Sequence, residues 1–120
     1  MVVATHAIHK AGQVWVPVNI KLDTSAIAYI LEHAEVSAIV ADEALCAQSE
    51  LAKVFDALTV PVLVAMAERA ESIHGMTLAQ AEAGQPHALP EVDIDGQQPA
   101  LLMYTSGTTG HPKGGVHSNI

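Results

Sequence analysis

Hydrophobic positions along the chain fall into short apolar runs separated by stripes of helical period. Residues 2–11 predict a short helix, and Gly12 is well placed to end it. The run QVWVPVN at residues 13–19 is rich in valine and predicts a strand. Pro17 inside it has no N–H to donate, which points to an edge position or an early strand end. Asp23, Thr24 and Ser25 offer N-cap oxygens for the next helix. There Ile27, Ile30, Leu31 and Ala34 recur at i, i+3, i+4 and i+7 and form one apolar face, with Glu32 and Glu35 off the stripe and expected in water. SAIVA at residues 37–41 predicts a second strand. Leu51, Val54, Phe55 and Leu58 repeat the helical stripe, with Glu50 and Lys53 outside it, and VPVLVAM at residues 60–66 predicts a third strand.

The order is β-α-β-α-β, which implies an α/β fold with a parallel sheet joined by right-handed helical crossovers. Parallel sheets are normally covered on both faces. Two crossover helices and one N-terminal helix are few for that task, so the pattern reads as a partial parallel sheet with flanking helices. Beyond residue 66 the periodicity weakens. Residues 77–83 suggest a short helix, and residues 84–99, rich in Gly, Pro and acid, read as a surface connection. ALLMY at residues 100–104 is again strand-like. The chain therefore reads as one partial domain over residues 1–120: a β-α-β core at 1–66, an irregular connection at 67–99, and a strand with a glycine-rich loop at 100–120.

Composition narrows the function classes. The 120 residues carry five basic and thirteen acidic side chains, a formal net charge of −8. A nucleic-acid surface needs clustered Lys and Arg, which this chain does not have. The longest apolar runs fall far short of the ~20 residues a spanning helix needs. The first dozen residues lack the basic and apolar regions of a signal peptide. Cys46 is the single cysteine. It cannot form an internal disulfide, which fits a reducing cytoplasm, and it reads as a buried apolar residue rather than a nucleophile. His6 and His9 share a helix face but have no third metal ligand near them, so no metal site is expected. The acids at residues 91–95 read as a solvated linker, and Trp15 and Tyr29 as packing residues.

One stretch stands apart: YTSGTTGHPKGG, residues 104–115. Glycines allow positive φ and close backbone approach, so that successive N–H groups can converge on one centre. Thr105, Ser106, Thr108 and Thr109 add hydroxyl donors. Lys113 adds the only Lys or Arg charge after Arg69. These features suit a cradle for a polyanion such as nucleotide phosphates. The same residue types also build ordinary solvated turns. The spacing is not that of a Walker loop, because Pro112 stands where the second glycine belongs, and no G-x-G-x-x-G occurs.

The order of residues goes further. The segment Thr105, Ser106, Gly107, Thr108, Thr109, Gly110, His111, Pro112, Lys113, Gly114 matches small-Ser-Gly-Thr-Thr-Gly-x-Pro-Lys-Gly at every position. It closely resembles the phosphate loop of the adenylate-forming, or AMP-binding, superfamily. KAGQVWVPVNIKL and AYILEHAEVSAIVAD look like the matching upstream segments of acyl-CoA synthetases, the fatty-acid–CoA ligases. The resemblance implies a piece of the large N-terminal domain of such an enzyme. It implies a two-step ligase in which a carboxylate attacks the α-phosphate of ATP, and the thiol of coenzyme A then displaces AMP from the acyl-adenylate. Carried over by position, Thr105, Ser106, Thr108 and Thr109 supply donors to the β and γ phosphates. Gly107, Gly110 and Gly114 permit the bend and present amides, and Lys113 offsets charge on the leaving pyrophosphate. ATP with Mg2+ and coenzyme A are the implied co-substrates, a small carboxylate the partner, and the cytoplasm the implied location.

The resemblance also implies that the magnesium-holding glutamate, the adenine-flanking aromatic, the ribose-binding aspartate and the mobile-domain lysine lie beyond the loop. No complete catalytic set is expected within these 120 residues. Residues 116–120 align in either of two registers, and His117 receives no role. An internal piece of an adenylate-forming enzyme, isolated from the rest, is expected to expose sheet edges and apolar helix faces and to need a partner or remain poorly soluble. A non-catalytic phosphate- or nucleotide-binding module and an inactive remnant remain the alternatives.

Overall fold

The computed structural model describes residues 2–65, 75–106 and 110–119. In chain order the elements are α1 (Val2–Lys10), α2 (Thr24–His33), β1 (Ile39–Asp42), α3 (Glu43–Cys46), α4 (Ser49–Leu58), β2 (Val62–Ala65), β3 (Met76–Thr77), α5 (Leu78–Glu82), β4 (Pro99–Thr105) and β5 (Lys113–Ser118). They divide into two compact units, Met1–Ala34 with His87–Ile120, and Glu35–Pro86.

The second unit holds a parallel sheet in the order β1-β2-β3. Ile39 pairs with Val62 and Asp42 with Ala65 across β1 and β2, and Leu63 pairs with Met76 across β2 and β3. The crossover from β1 to β2 runs through α3 and α4, as the apolar stripe of residues 51–58 requires. On that stripe Leu51 and Phe55 are buried, while Glu50 and Lys53 form an ion pair of 2.9 Å in water. Ile39 and Ala41 are buried and alternate with exposed Val40, and Val64 at the centre of the sheet is fully buried. Gly75 is needed where the chain meets β2, because a Cβ there would lie 2.6 Å from the Val62 carbonyl oxygen. Thr77 then caps α5 in a complete capping box: its Oγ1 accepts from Gln80 N–H at 3.1 Å, and its own N–H donates to Gln80 Oε1 at 2.9 Å. Cys46 is buried, and that burial, reinforced by the carboxylates of Asp42 and Glu43, pushes its thiol above the ordinary range. It is a packing residue, as its isolation in the sequence suggests.

In the first unit α1 stops where Gly12 adopts φ 68°, the left-handed conformation that glycine takes without strain. Asp23 is the N-cap selected from the three candidates ahead of α2, its carboxylate accepting from Ala26 N–H at 2.7 Å. Ile27, Ile30 and Leu31 are the buried face of that helix. Glu32 and Glu35 are exposed. β4 and β5 form an antiparallel hairpin.

One expected strand is absent from this arrangement. Residues 13–19 do not form a continuous strand, and only Trp15 bridges in parallel to Leu101 on the edge of β4. Trp15 N–H donates to Ala100 O at 3.0 Å, and Leu102 N–H donates to Trp15 O at 2.9 Å. Two residues later Pro17 has no N–H with which to extend the ladder. The parallel sheet instead gains its third strand from Met76–Thr77, too short for periodicity to reveal. Part of the expected third strand and connection, residues 66–74, lies outside the described residues.

Candidate functional site

The described residues of the glycine-rich stretch lie at the end of β4 and the start of β5, which pair as a hairpin. Leu102 faces Val116, Met103 faces Gly115, Tyr104 faces Gly114 and Thr105 faces Lys113. Directly opposed residues of an antiparallel pair project on the same side, with Cβ atoms about 5 Å apart. The Thr105 hydroxyl and the Lys113 ammonium therefore share one face at the base of the loop. Strand alternation puts Tyr104 on the other face. Thr105, Ser106, Gly110 and Lys113 are all exposed. Gly110 adopts φ 125°, a conformation that L side chains rarely reach. Gly107, Thr108 and Thr109 lie outside the described residues.

Gly114 has a different reason to be glycine. A Cβ on it would lie 3.1 Å from Leu102 Cδ1 and 3.2 Å from Tyr104 Cζ. The Tyr104 ring occupies the space above it, so the tyrosine lies across the partner strand. No atom restricts Gly115 comparably, the nearest being Met103 O at 3.8 Å.

Tyr104 is the point at which the hairpin is fastened. Its hydroxyl lies 2.7 Å from Nδ1 of His33, at the C-terminal end of α2. Either the phenol O–H donates to a bare Nδ1, or Nδ1–H donates to the phenol oxygen. Burial pushes the Tyr104 phenol above the usual tyrosine range, and the neighbouring Tyr29 adds to the shift. The phenol therefore stays neutral at physiological pH. One turn back on α2, Tyr29 stacks on His111 of the loop, with ring centroids 4.3 Å apart and planes 13° from parallel. Tyr29 also stacks on His33 at 5.3 Å. Tyr104 closes the strand-like run of residues 100–104, but nothing local in the sequence marks His33 as its partner. The available signal was the i, i+4 spacing of Tyr29 and His33, which puts them on one helix face outside the buried stripe.

Electrostatically the site is simple. Among the described residues the Lys113 ammonium has no carboxylate partner. No group of three His, Cys, Asp or Glu side chains among the described residues converges as metal ligands would. The acids of residues 91–95 behave as a connection: Asp95 is exposed, and its carboxylate accepts from Gln97 N–H at 3.0 Å in the turn before β4. His9 packs edge-on against Trp15 with ring centroids 6.3 Å apart. No helix among the described residues is long and apolar enough to cross a membrane.

The family model for AMP-binding enzymes matches residues 1–119, and the chain belongs to that family. The long-chain-fatty-acid–CoA ligase FadD13 of Mycobacterium tuberculosis is 29% identical over 117 residues, which cover 92% of this chain and 20% of the ligase. Surfactin synthase subunit 3 of Bacillus subtilis is 29% identical over 123 residues, covering all of this chain and 8% of the synthase. The apo structure of MbtA from Mycobacterium smegmatis superimposes with a TM-score of 0.78 at 25% identity, over 98% of this chain and 21% of that one. The chain thus spans about a fifth of the length of FadD13. Acyl-CoA ligases recur among the relatives, and the fold is that of part of an adenylate-forming N-terminal domain.

Proposed function

We propose that the chain supplies the phosphate-holding segment of an ATP-dependent acid–thiol ligase of the acyl-CoA synthetase type. In this reading the ligase activates a carboxylate as its acyl-adenylate and passes it to coenzyme A. Thr105, Ser106, Thr108, Thr109 and the amides of Gly107, Gly110 and Gly114 face the β and γ phosphates. Lys113 offsets the charge that builds on departing pyrophosphate. One observation carries the proposal: Thr105 and Lys113 are directly opposed at the base of a glycine-rich turn. The −8 net charge of the chain repels a polyanion at long range, so recognition depends on local donors of this kind.

The chemistry asked of these residues is electrostatic. Negative charge moves onto the leaving oxygens as the α-phosphate is attacked, and fixed donors at those oxygens lower the barrier. Magnesium would enter with the nucleotide, screening its phosphates. The described residues offer it no cluster of protein ligands. Coenzyme A transfer and acyl choice belong to groups that the family resemblance puts beyond the loop. A single free, buried cysteine is compatible with a cytoplasmic enzyme of fatty-acid metabolism. In a complete ligase carrying this segment, Lys113→Ala is expected to slow ATP–pyrophosphate exchange roughly a hundredfold while leaving the fold intact. Unchanged exchange would remove Lys113 from the mechanism.

A second reading is a non-catalytic phosphate- or nucleotide-binding module. In it these residues bind nucleotide without turning it over. The isolated chain then takes up MgATP but gives no exchange of pyrophosphate into ATP. Exchange by the isolated chain would exclude this reading.

A further inference from the structure

The loop is fastened to α2 at two points, one on each of its arms. On the outgoing arm Tyr104 bonds His33 at 2.7 Å. On the returning arm His111 stacks on Tyr29 at 4.3 Å. Tyr29 and His33 are four residues apart, one turn of helix, and stack on each other at 5.3 Å. Four rings thus form one continuous cluster, completed by the edge-on contact of His33 with Tyr104 at 5.8 Å. None of the four belongs to the glycine, hydroxyl and lysine set that the loop presents.

We propose that Tyr29 and His33 are positioning residues that preorganise the two arms of the loop for a polyphosphate ligand, His33 through Tyr104 and Tyr29 through His111. The inference rests on the reading of this loop as a phosphate holder and deepens it. The physical argument is one of population. Apparent affinity falls in proportion to the fraction of molecules whose site is already competent. A hairpin free to swing against α2 would hold the Thr105–Lys113 pair in one orientation for only part of the time. Two contacts to one rigid helix face remove that freedom before the ligand arrives. Aromatic stacking of this kind adds specific geometry beyond apolar burial. It explains what a histidine does in the one variable position of the loop signature: it reaches back to the helix rather than forward to the ligand.

The test is a double-mutant cycle on Tyr29 and His111, read by titration of the chain with MgATP. Tyr29→Leu keeps apolar bulk but loses the ring face, and His111→Ala removes the partner from an exposed position where unfolding is not at issue. Each single variant is expected to weaken MgATP about 3- to 10-fold, and the double variant no more than either single one. Tyr29→Phe should retain wild-type affinity, which a hydroxyl-dependent role would not allow. Without ligand, the His111 ring protons should move downfield in Tyr29→Leu as the ring-current shift is lost. Additive losses, unchanged affinity in both single variants or an unmoved His111 signal would overturn the inference while leaving the phosphate reading intact. Failure of the wild-type chain to take up MgATP would overturn both.

Discussion

Two adjacent glycines in β5 should respond to the same substitution in opposite directions. At Gly114 an added methyl would sit 3.1 Å from Leu102 Cδ1 and 3.2 Å from Tyr104 Cζ. Comfortable carbon–carbon contact begins at about 3.5 Å, so the tyrosine ring must retreat by several tenths of an ångström. Its hydroxyl is already at the optimum 2.7 Å from His33, and retreat lengthens that bond. Overpacking costs about 1–3 kcal/mol, and weakening a hydrogen bond about 0.5–1.5 kcal/mol. Against this stands a gain of about 0.4–1 kcal/mol from the stiffer unfolded chain. The balance for Gly114→Ala spans a loss of about 0.5–4 kcal/mol, and at an exposed glycine the lower half, about 1–2 kcal/mol, applies. For Gly115→Ala the nearest atom is 3.8 Å away and the entropic gain stands nearly alone. Hydrogen exchange reads the difference locally. The Leu102 amide, which donates to Trp15 O at 2.9 Å, reports on the edge of the hairpin. It should exchange roughly 5- to 30-fold faster in Gly114→Ala and no faster in Gly115→Ala. Equal exchange in the two variants would refute the placement of the Tyr104 ring over Gly114.

The Tyr104 phenol should ionise above the value of about 10 for free tyrosine, because burial and the nearby Tyr29 disfavour its charge. With the folded value raised, its contribution to stability is complete below the unfolded value and is lost as pH rises through the folded one. An absorbance titration of a Tyr29→Phe variant isolates this group, and a midpoint at or below 10 would contradict the burial argument. At the capping box, Thr77→Ala should destabilise α5 by about 1 kcal/mol, whereas Thr77→Ser should retain most of the cap. Exchange of the Gln80 amide, bonded to Thr77 Oγ1 at 3.1 Å, measures both variants.

Much of this architecture was legible in the sequence where period and burial agree. The stripe of Ile27, Ile30 and Leu31 became the buried face of α2, and the apolar runs around residues 39–42 and 62–65 became adjacent parallel strands. Periodicity overstated residues 13–19, because valine content says nothing about whether a ladder partner is within reach, and Pro17 limits the ladder to Trp15. It understated β5, whose exposed positions include two consecutive glycines and little β propensity. That strand exists because β4 lies opposite it and the Tyr104 ring lies over Gly114. The bond from His33 to Tyr104 spans 71 residues of sequence, and no local pattern encodes such a contact. The residue types of the loop prompt the proposal of a polyanion cradle, whereas its support on α2 has no such prompt, because a stacking histidine declares nothing by its type.

The central claim is that Thr105, Lys113 and the glycines between them grip the phosphates of ATP. Its most direct measurement is a pair of titrations of the chain, one with MgATP and one with AMP, followed at the Lys113 side chain and the Thr105 amide. The account predicts saturable shifts at both positions with MgATP, much weaker ones with AMP, and loss of the MgATP response at Thr105 in Lys113→Ala. Equal responses to the two nucleotides, or none to MgATP, would contradict it.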